Sequence, residues 1–257
     1  MPGNDLDLLV EAARRAGAEA RRRLDEPLKV RRKPGDDSPV TQVDFAVDRL
    51  LRAHLTAARP DYGWLSEETE DDGRRLGADR VFIVDPIDGT RALVDGQTTW
   101  AHSLAVADRG RVVAAVVFLP LKDRMYTAAE GGGARLNGAP IQVGRRAALD
   151  GATVLANRPS LEPCNWPGGV PVVDRVHRPS LAYRLCIVAQ GRFDAALTLR
   201  PAWEWDIAAG SLILAEAGAR VSDRRGGPLR FNAAHPQADG LVGANTTLHA
   251  ELLDRLM

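Results

Sequence analysis

Val81-Phe82-Ile83-Val84-Asp85-Pro86-Ile87-Asp88-Gly89-Thr90 runs from four apolar residues into two carboxylates, a glycine and a hydroxyl. The apolar run reads as a buried strand, and the residues past its end are placed to face a cleft. Two acids three positions apart repel unless something positive sits between them, and a hard divalent cation is the economical answer. Gly89 lets the backbone approach a ligand closely. A helix starting at Thr90 would turn its free N–H groups toward an anion such as phosphate. Asp-Gly and Asp-Pro are also common turn dipeptides, so the stretch taken alone is more often a surface turn than a metal site. It needs partners elsewhere in the chain.

Toward the amino terminus, residues 6–24 carry apolar positions at helical spacing, with the Arg14-Arg15 and Arg21-Arg22-Arg23 clusters on a solvated face. A polar loop follows over 31–40. Thr41 then caps a second helix whose buried face is Val43, Val47, Leu50, Leu51 and Leu55, with Asp44 in its first turn. Beyond Pro60 the pattern changes to strands over 81–85, 103–107, 112–119 and 125–128, spaced as in a largely antiparallel sheet. A Gly/Arg-rich passage near Gly144 divides an α+β part, 1–144, from an α/β part, 145–257. In the second part, strands are expected over 152–156, 170–173 and 195–199. Helices are expected over 180–190, 205–217 (stopped by Gly218) and 248–256.

The 257 residues hold 34 Lys+Arg and 34 Asp+Glu, a formal net charge of +0, so no global field draws nucleic acid or an anionic membrane. No run reaches the length of a transmembrane helix, and Asp5, Asp7 and Glu11 are unlike a secretory signal. Cys164 and Cys186 then fit a reducing cytoplasm.

Three acidic clusters sit at the edges of apolar elements: Glu67-Glu68, Asp85 with Asp88, and Asp206. Singly, each reads as a cap or a surface charge; for Asp206, N-terminal capping alone would suffice. Together they form an oxygen-only donor set, which favours magnesium over zinc. Four acids exceed the needs of one magnesium ion. Two or more ions, about 4 Å apart, could hold both an attacking water and a leaving oxygen, which points to phosphate ester hydrolysis without a covalent intermediate.

Ser66-Glu67-Glu68, Asp85 to Thr90 and Trp205-Asp206-Ile207-Ala208-Ala209-Gly210, in this order, resemble the signature of the magnesium-dependent, lithium-sensitive phosphatases of the inositol monophosphatase superfamily. The resemblance implies a layered αβαβα sandwich and two or three magnesium ions. Glu67, Asp85, the Ile87 carbonyl, Asp88 and Asp206 would hold these ions. Gly89 and Thr90 would offer N–H groups to the phosphate. Thr90 and Glu67 would hold the attacking water, and Asp44 would support Thr90. The family often forms homodimers.

Within the family, Glu204-Trp205-Asp206 and Gly227 to Asn232 look most like the bacterial 3'(2'),5'-bisphosphate nucleotidases. That implies adenosine 3',5'-bisphosphate as the small phosphorylated substrate, with Glu204, Arg184 and Arg230 as candidate contacts and an arginine forked onto the second phosphate. Each arginine is otherwise an ordinary surface residue. Arg91-Ala92-Leu93 departs from that branch and resembles the inositol-phosphate and histidinol-phosphate branches. A phosphate-binding regulator without turnover is the alternative outside enzymes. A two-metal nuclease would need a basic, aromatic surface that the chain lacks.

Overall fold

The computed structural model describes residues 4–35 and 37–256. Its helices are α1 (Asp5–Leu24), α2 (Gln42–Ala58), α3 (Thr90–Val94), α4 (Leu181–Ala189), α5 (Glu204–Glu216) and α6 (Thr246–Leu256). The first seven strands are β1 (Val30–Arg32), β2 (Pro39–Thr41), β3 (Gly63–Ser66), β4 (Arg80–Asp88), β5 (Ala101–Asp108), β6 (Arg111–Leu119) and β7 (Arg124–Ala129). The rest are β8 (Ala134–Leu136), β9 (Ala139–Pro140), β10 (Thr153–Leu155), β11 (Asp174–Val176), β12 (Ala195–Thr198), β13 (Ala202–Trp203), β14 (Arg220–Ser222), β15 (Gln237–Ala238) and β16 (Leu241–Ala244).

A seven-stranded sheet runs in the order β3-β4-β5-β6-β7-β8-β9. Only its β3–β4 pair is parallel. A five-stranded mixed sheet follows in the order β11-β10-β12-β16-β14. Side-chain alternation along β4 sets the layers, because successive residues of a strand point to opposite faces. Phe82 and Val84 pack with Leu9, Ala16, Val47 and Leu51 of α1 and α2. Val81 and Ile83 pack with Leu185, Ile187, Ile207 and Ile213 of α4 and α5. The second sheet covers the far side of α4 and α5, and α6 closes it through Leu248 and Leu252. The result is the expected αβαβα sandwich, with one helical pair buried between two sheets. No helix among the described residues is long and apolar enough to cross a membrane.

Three local features differ from expectation. β4 continues past Asp85 to Asp88, with an irregular register against β5 between those residues. Pro86 has no N–H to give the ladder, so the strand bulges there. Residues 170–173 are not a strand; the pairing partner of β10 is Asp174–Val176. Leu50 is only half-buried, and α2 buries Ala46 and Asp48 instead.

Gly210 marks the closest approach of α4 and α5. A Cβ there would stand 2.6 Å from Leu185 Cδ1 and 2.8 Å from Leu185 Cβ. Gly210→Ala is therefore expected to lose about 1–3 kcal/mol, seen as a thermal midpoint several degrees lower. An unchanged midpoint would mean that the two helices separate without cost.

Candidate metal centre and active site

Asp85, Asp88 and Asp206 come from different parts of the chain, yet one oxygen of each lies within 4.8 Å of the others. Asp85 and Asp88 are held by the bulged end of β4. Asp206 arrives in the first turn of α5, and that turn is pinned to the sheet where Ser103 Oγ donates to the Trp205 carbonyl at 2.9 Å. Ser103 is the β5 residue paired with Asp85, so one hydroxyl sets Asp206 against Asp85. Asp88 also caps α4, accepting from Ser180 Oγ and Ala182 N at 2.6 Å each and from Leu181 N at 3.3 Å.

These carboxylates lack enough positive charge within the protein. Burial, then the charges of Glu67, Asp88 and Asp206, pushes the Asp85 carboxyl well above its ordinary range. Asp206 is driven up by burial and by Asp88 and Glu67. Burial pushes Asp88 up to about 6, although the Ser180 hydroxyl and the α4 amides pull the other way. A divalent cation coordinated by oxygen would supply the missing charge, and the donor set contains no sulfur or imidazole. The residues present therefore fit magnesium.

Glu67 follows β3, whose end is fixed by Asp48 of α2. Ser66 Oγ donates to Asp48 Oδ1 at 2.5 Å and Thr69 Oγ1 to Asp48 Oδ2 at 2.7 Å. Lys33, in the hairpin between β1 and β2, reaches Glu67 at 2.7 Å and Glu68 at 2.6 Å. Burial and the neighbouring Glu67 push Glu68 up to about 7, opposed by Lys33. Sequence reasoning missed Lys33; the only signal was a cation beside the Pro34-Gly35 turn of an otherwise polar loop.

Thr90 Oγ1 lies 2.8 Å from Asp44 Oδ1 and 3.0 Å from the Ile87 carbonyl. Asp44 closes the α2 capping box through Thr41. Its carboxyl is raised by burial and lowered by the Thr41 and Thr90 hydroxyls. Gly89 has φ +98°, a backbone conformation that L side chains rarely adopt, so the turn between β4 and α3 requires glycine.

A cavity of about 770 Å³ opens beside this cluster, lined among others by Lys33, Glu67, Asp206, Arg200, Trp203 and Trp205. The two indoles stack with centroids 4.7 Å apart and planes 8° from parallel. Two of the three expected substrate contacts, Arg230 and Glu204, stand elsewhere. Arg230 is exposed, and the next residue, Phe231, donates its N–H to Gly110 in the β5–β6 hairpin. That hairpin lies at the end of the sheet away from Asp85 and Asp88. Arg184 is buried with its guanidinium on the Arg178 carbonyl at 2.5 Å, near enough for its charge to act on Asp88 and Asp206. Glu204 is fully buried, and both its oxygens accept backbone N–H groups, from Asn232 at 2.6 Å and Ala233 at 2.9 Å. Its α5 position was legible; the loop it would bind was not.

An oxygen-lined acidic centre at the end of a mixed sheet, with a buried threonine–aspartate pair beside it, defines a metal-dependent phosphatase. A model of the inositol monophosphatase family matches residues 4–256, and the chain belongs to that family of magnesium-dependent phosphatases. It is similar to an inositol-1-monophosphatase of Rhizobium meliloti, 39% identical over 239 residues that cover 86% of each chain. It is also similar to the Nus factor SuhB of Pseudomonas aeruginosa, 32% identical over 96% of this chain and 94% of that one. Among solved structures, a Thermotoga maritima IMPase superposes with a TM-score of 0.83 at 28% identity, covering 98% of this chain and 96% of that one.

Proposed function

We propose that the chain hydrolyses inositol 1-phosphate to inositol and inorganic phosphate. The observation that carries the chemistry is the convergence of Asp85, Asp88 and Asp206 beside the Thr90–Asp44 pair. The R. meliloti relative supports this alcohol. Glu67, Asp85, the Ile87 carbonyl, Asp88 and Asp206 are the residues that would hold two or three magnesium ions. Bound magnesium supplies positive charge at the phosphate oxygens and lowers the pKa of a coordinated water. Thr90 passes its hydroxyl proton toward Asp44, which leaves its oxygen free to accept a proton from the attacking water, with Glu67 as the second acceptor. The amides of Gly89 and Thr90 orient the phosphate. In this reading, 1–144 carries most of the acids and 145–257 supplies Asp206 and most of the pocket wall.

A second reading, bisphosphate nucleotidase, is favoured by the stacked Trp203–Trp205 pair and Arg200 in the same cavity, a surface suited to a flat base and a second phosphate. A phosphate-release panel with magnesium separates the two. It compares inositol 1-phosphate, adenosine 3',5'-bisphosphate, histidinol phosphate and fructose 1,6-bisphosphate by kcat/KM. Inositol 1-phosphate is expected to lead. A nucleotide in first place would transfer the assignment to the second reading, and no release from any ester would leave a phosphate-binding regulator. Lithium is expected to inhibit turnover by competing for a magnesium position, so raising magnesium should relieve the inhibition; insensitivity would contradict that competition.

A further inference from the structure

Arg75 is a fully surrounded cation outside the acidic centre, in the turn after the Glu67–Asp72 segment. It is 2% exposed, and among the described residues every partner of its guanidinium belongs to one of two segments. On one side, Nε and Nη2 donate to Asp71 Oδ2 at 3.0 and 2.7 Å. On the other, Nη1 donates to Asn232 Oδ1 at 2.6 Å and Nη2 to the Ala233 carbonyl at 2.9 Å, while Asn232 Nδ2 returns a bond to the Arg75 carbonyl at 3.2 Å. Asn232 and Ala233 are the two residues whose N–H groups hold the Glu204 carboxylate. Glu204 is the first residue of α5, two positions before Asp206, and Asp71 is four positions after Glu67.

One buried guanidinium therefore joins the segment that carries Glu67 to the helix turn that carries Asp206. These are the two candidate metal-binding acids that β4 does not supply. Asp85 and Asp88 are fixed relative to each other by one strand. Glu67 is tied to that strand through its N–H on the Val84 carbonyl at 3.3 Å, and Asp206 through Ser103 on the Trp205 carbonyl. The Arg75 fork adds a link that runs directly between the two flanking segments. The backbone of the Arg75 turn is itself seated hard on β3: a Cβ on Gly63 would meet Arg75 Cα at 2.9 Å. The fork cannot lengthen without breaking part-buried, charge-assisted hydrogen bonds.

We propose that Arg75 is a positioning residue that sets the Glu67–Asp206 separation, and so the magnesium affinity of the centre, through Asp71 on one side and Asn232, Ala233 and Glu204 on the other. This rests on the reading of Glu67 and Asp206 as metal-binding acids. Outer partners of metal ligands typically change affinity by about 10–100-fold when removed.

The test is calorimetric magnesium binding to Arg75→Met without substrate, together with the magnesium concentration giving half-maximal phosphate release. The magnesium dissociation constant and the half-maximal magnesium concentration are each expected to rise about tenfold, with kcat at saturating magnesium within a few-fold of the parent. Arg75→Lys, which keeps the charge but not the fork, is expected to recover only part of the affinity. Asp71→Ala cuts one side of the link at an exposed position, so it still folds if Arg75→Met does not, and is expected to weaken magnesium in the same direction. Leu252→Ala, a cavity in the α6 layer, is the control that lowers the melting temperature and leaves magnesium affinity unchanged. Folded Arg75→Met and Asp71→Ala proteins with magnesium affinity within twofold of the parent would overturn the proposal. Asp206→Asn distinguishes the deeper failure: unchanged magnesium binding in that variant would remove the acids themselves from the centre.

Discussion

Asp88→Asn is expected to fold and to lose at least about a thousandfold in kcat, about 4 kcal/mol of transition-state stabilisation. The two halves of that result come from the two jobs of one carboxylate. Toward α4, Asp88 accepts from Ser180 Oγ and Ala182 N, and the amide oxygen of asparagine accepts the same two bonds. Toward Asp85 and Asp206 it must present an anionic oxygen, and a neutral amide cannot hold clustered cations. Circular dichroism and a thermal melt check the fold, and steady-state phosphate release checks the rate. Activity within tenfold of the parent would take Asp88 out of the site.

Thr90→Ala is expected to lower kcat by about a hundredfold or more while Thr90→Ser keeps most of it, the range of a positioned proton acceptor. The hydroxyl is placed by two acceptors, Asp44 Oδ1 and the Ile87 carbonyl. With its proton committed to them, its oxygen is left to receive one from water. Serine retains this geometry without the methyl group. Equal losses in the serine and alanine variants would make the methyl packing, rather than the hydroxyl, the reason for threonine.

Much of this was legible along the chain because its causes are local. The apolar run Val81 to Val84 marked a buried strand, which the structure packs between two helical layers, and Thr41 announced the start of α2. Asp85, Asp88 and Asp206 could be grouped by oxygen chemistry before any distance was known. Features that depend on distant pairing were not legible. Residues 170–173 are apolar enough for a strand, but the ladder against β10 begins at Asp174. Arg230 sits in a motif that suggests phosphate, and its loop docks on Gly110 instead. Glu204 looked like a substrate contact from its neighbours Trp205 and Asp206. Its carboxylate is consumed by amides 28 and 29 residues downstream. Arg75 and Lys33 carry no motif, since what they do is defined only by the segments that fold around them.

The pattern is consistent across the site. Residues that act through a strand end or a helix cap announce themselves in sequence, because the cap or strand is written in adjacent positions. Residues that join one segment to another do not. In this chain the second group includes the hairpin lysine on Glu67 and Glu68 and the guanidinium between Asp71 and Asn232.

The acids at the end of β4 and the start of α5 are read as working by holding magnesium. That role is tested most directly by stripping the protein with a chelator and measuring phosphate release from its best panel substrate as magnesium is titrated back. No release is expected without the ion, and a saturable return of activity with it. Release at the parental rate in the presence of chelator would contradict that role.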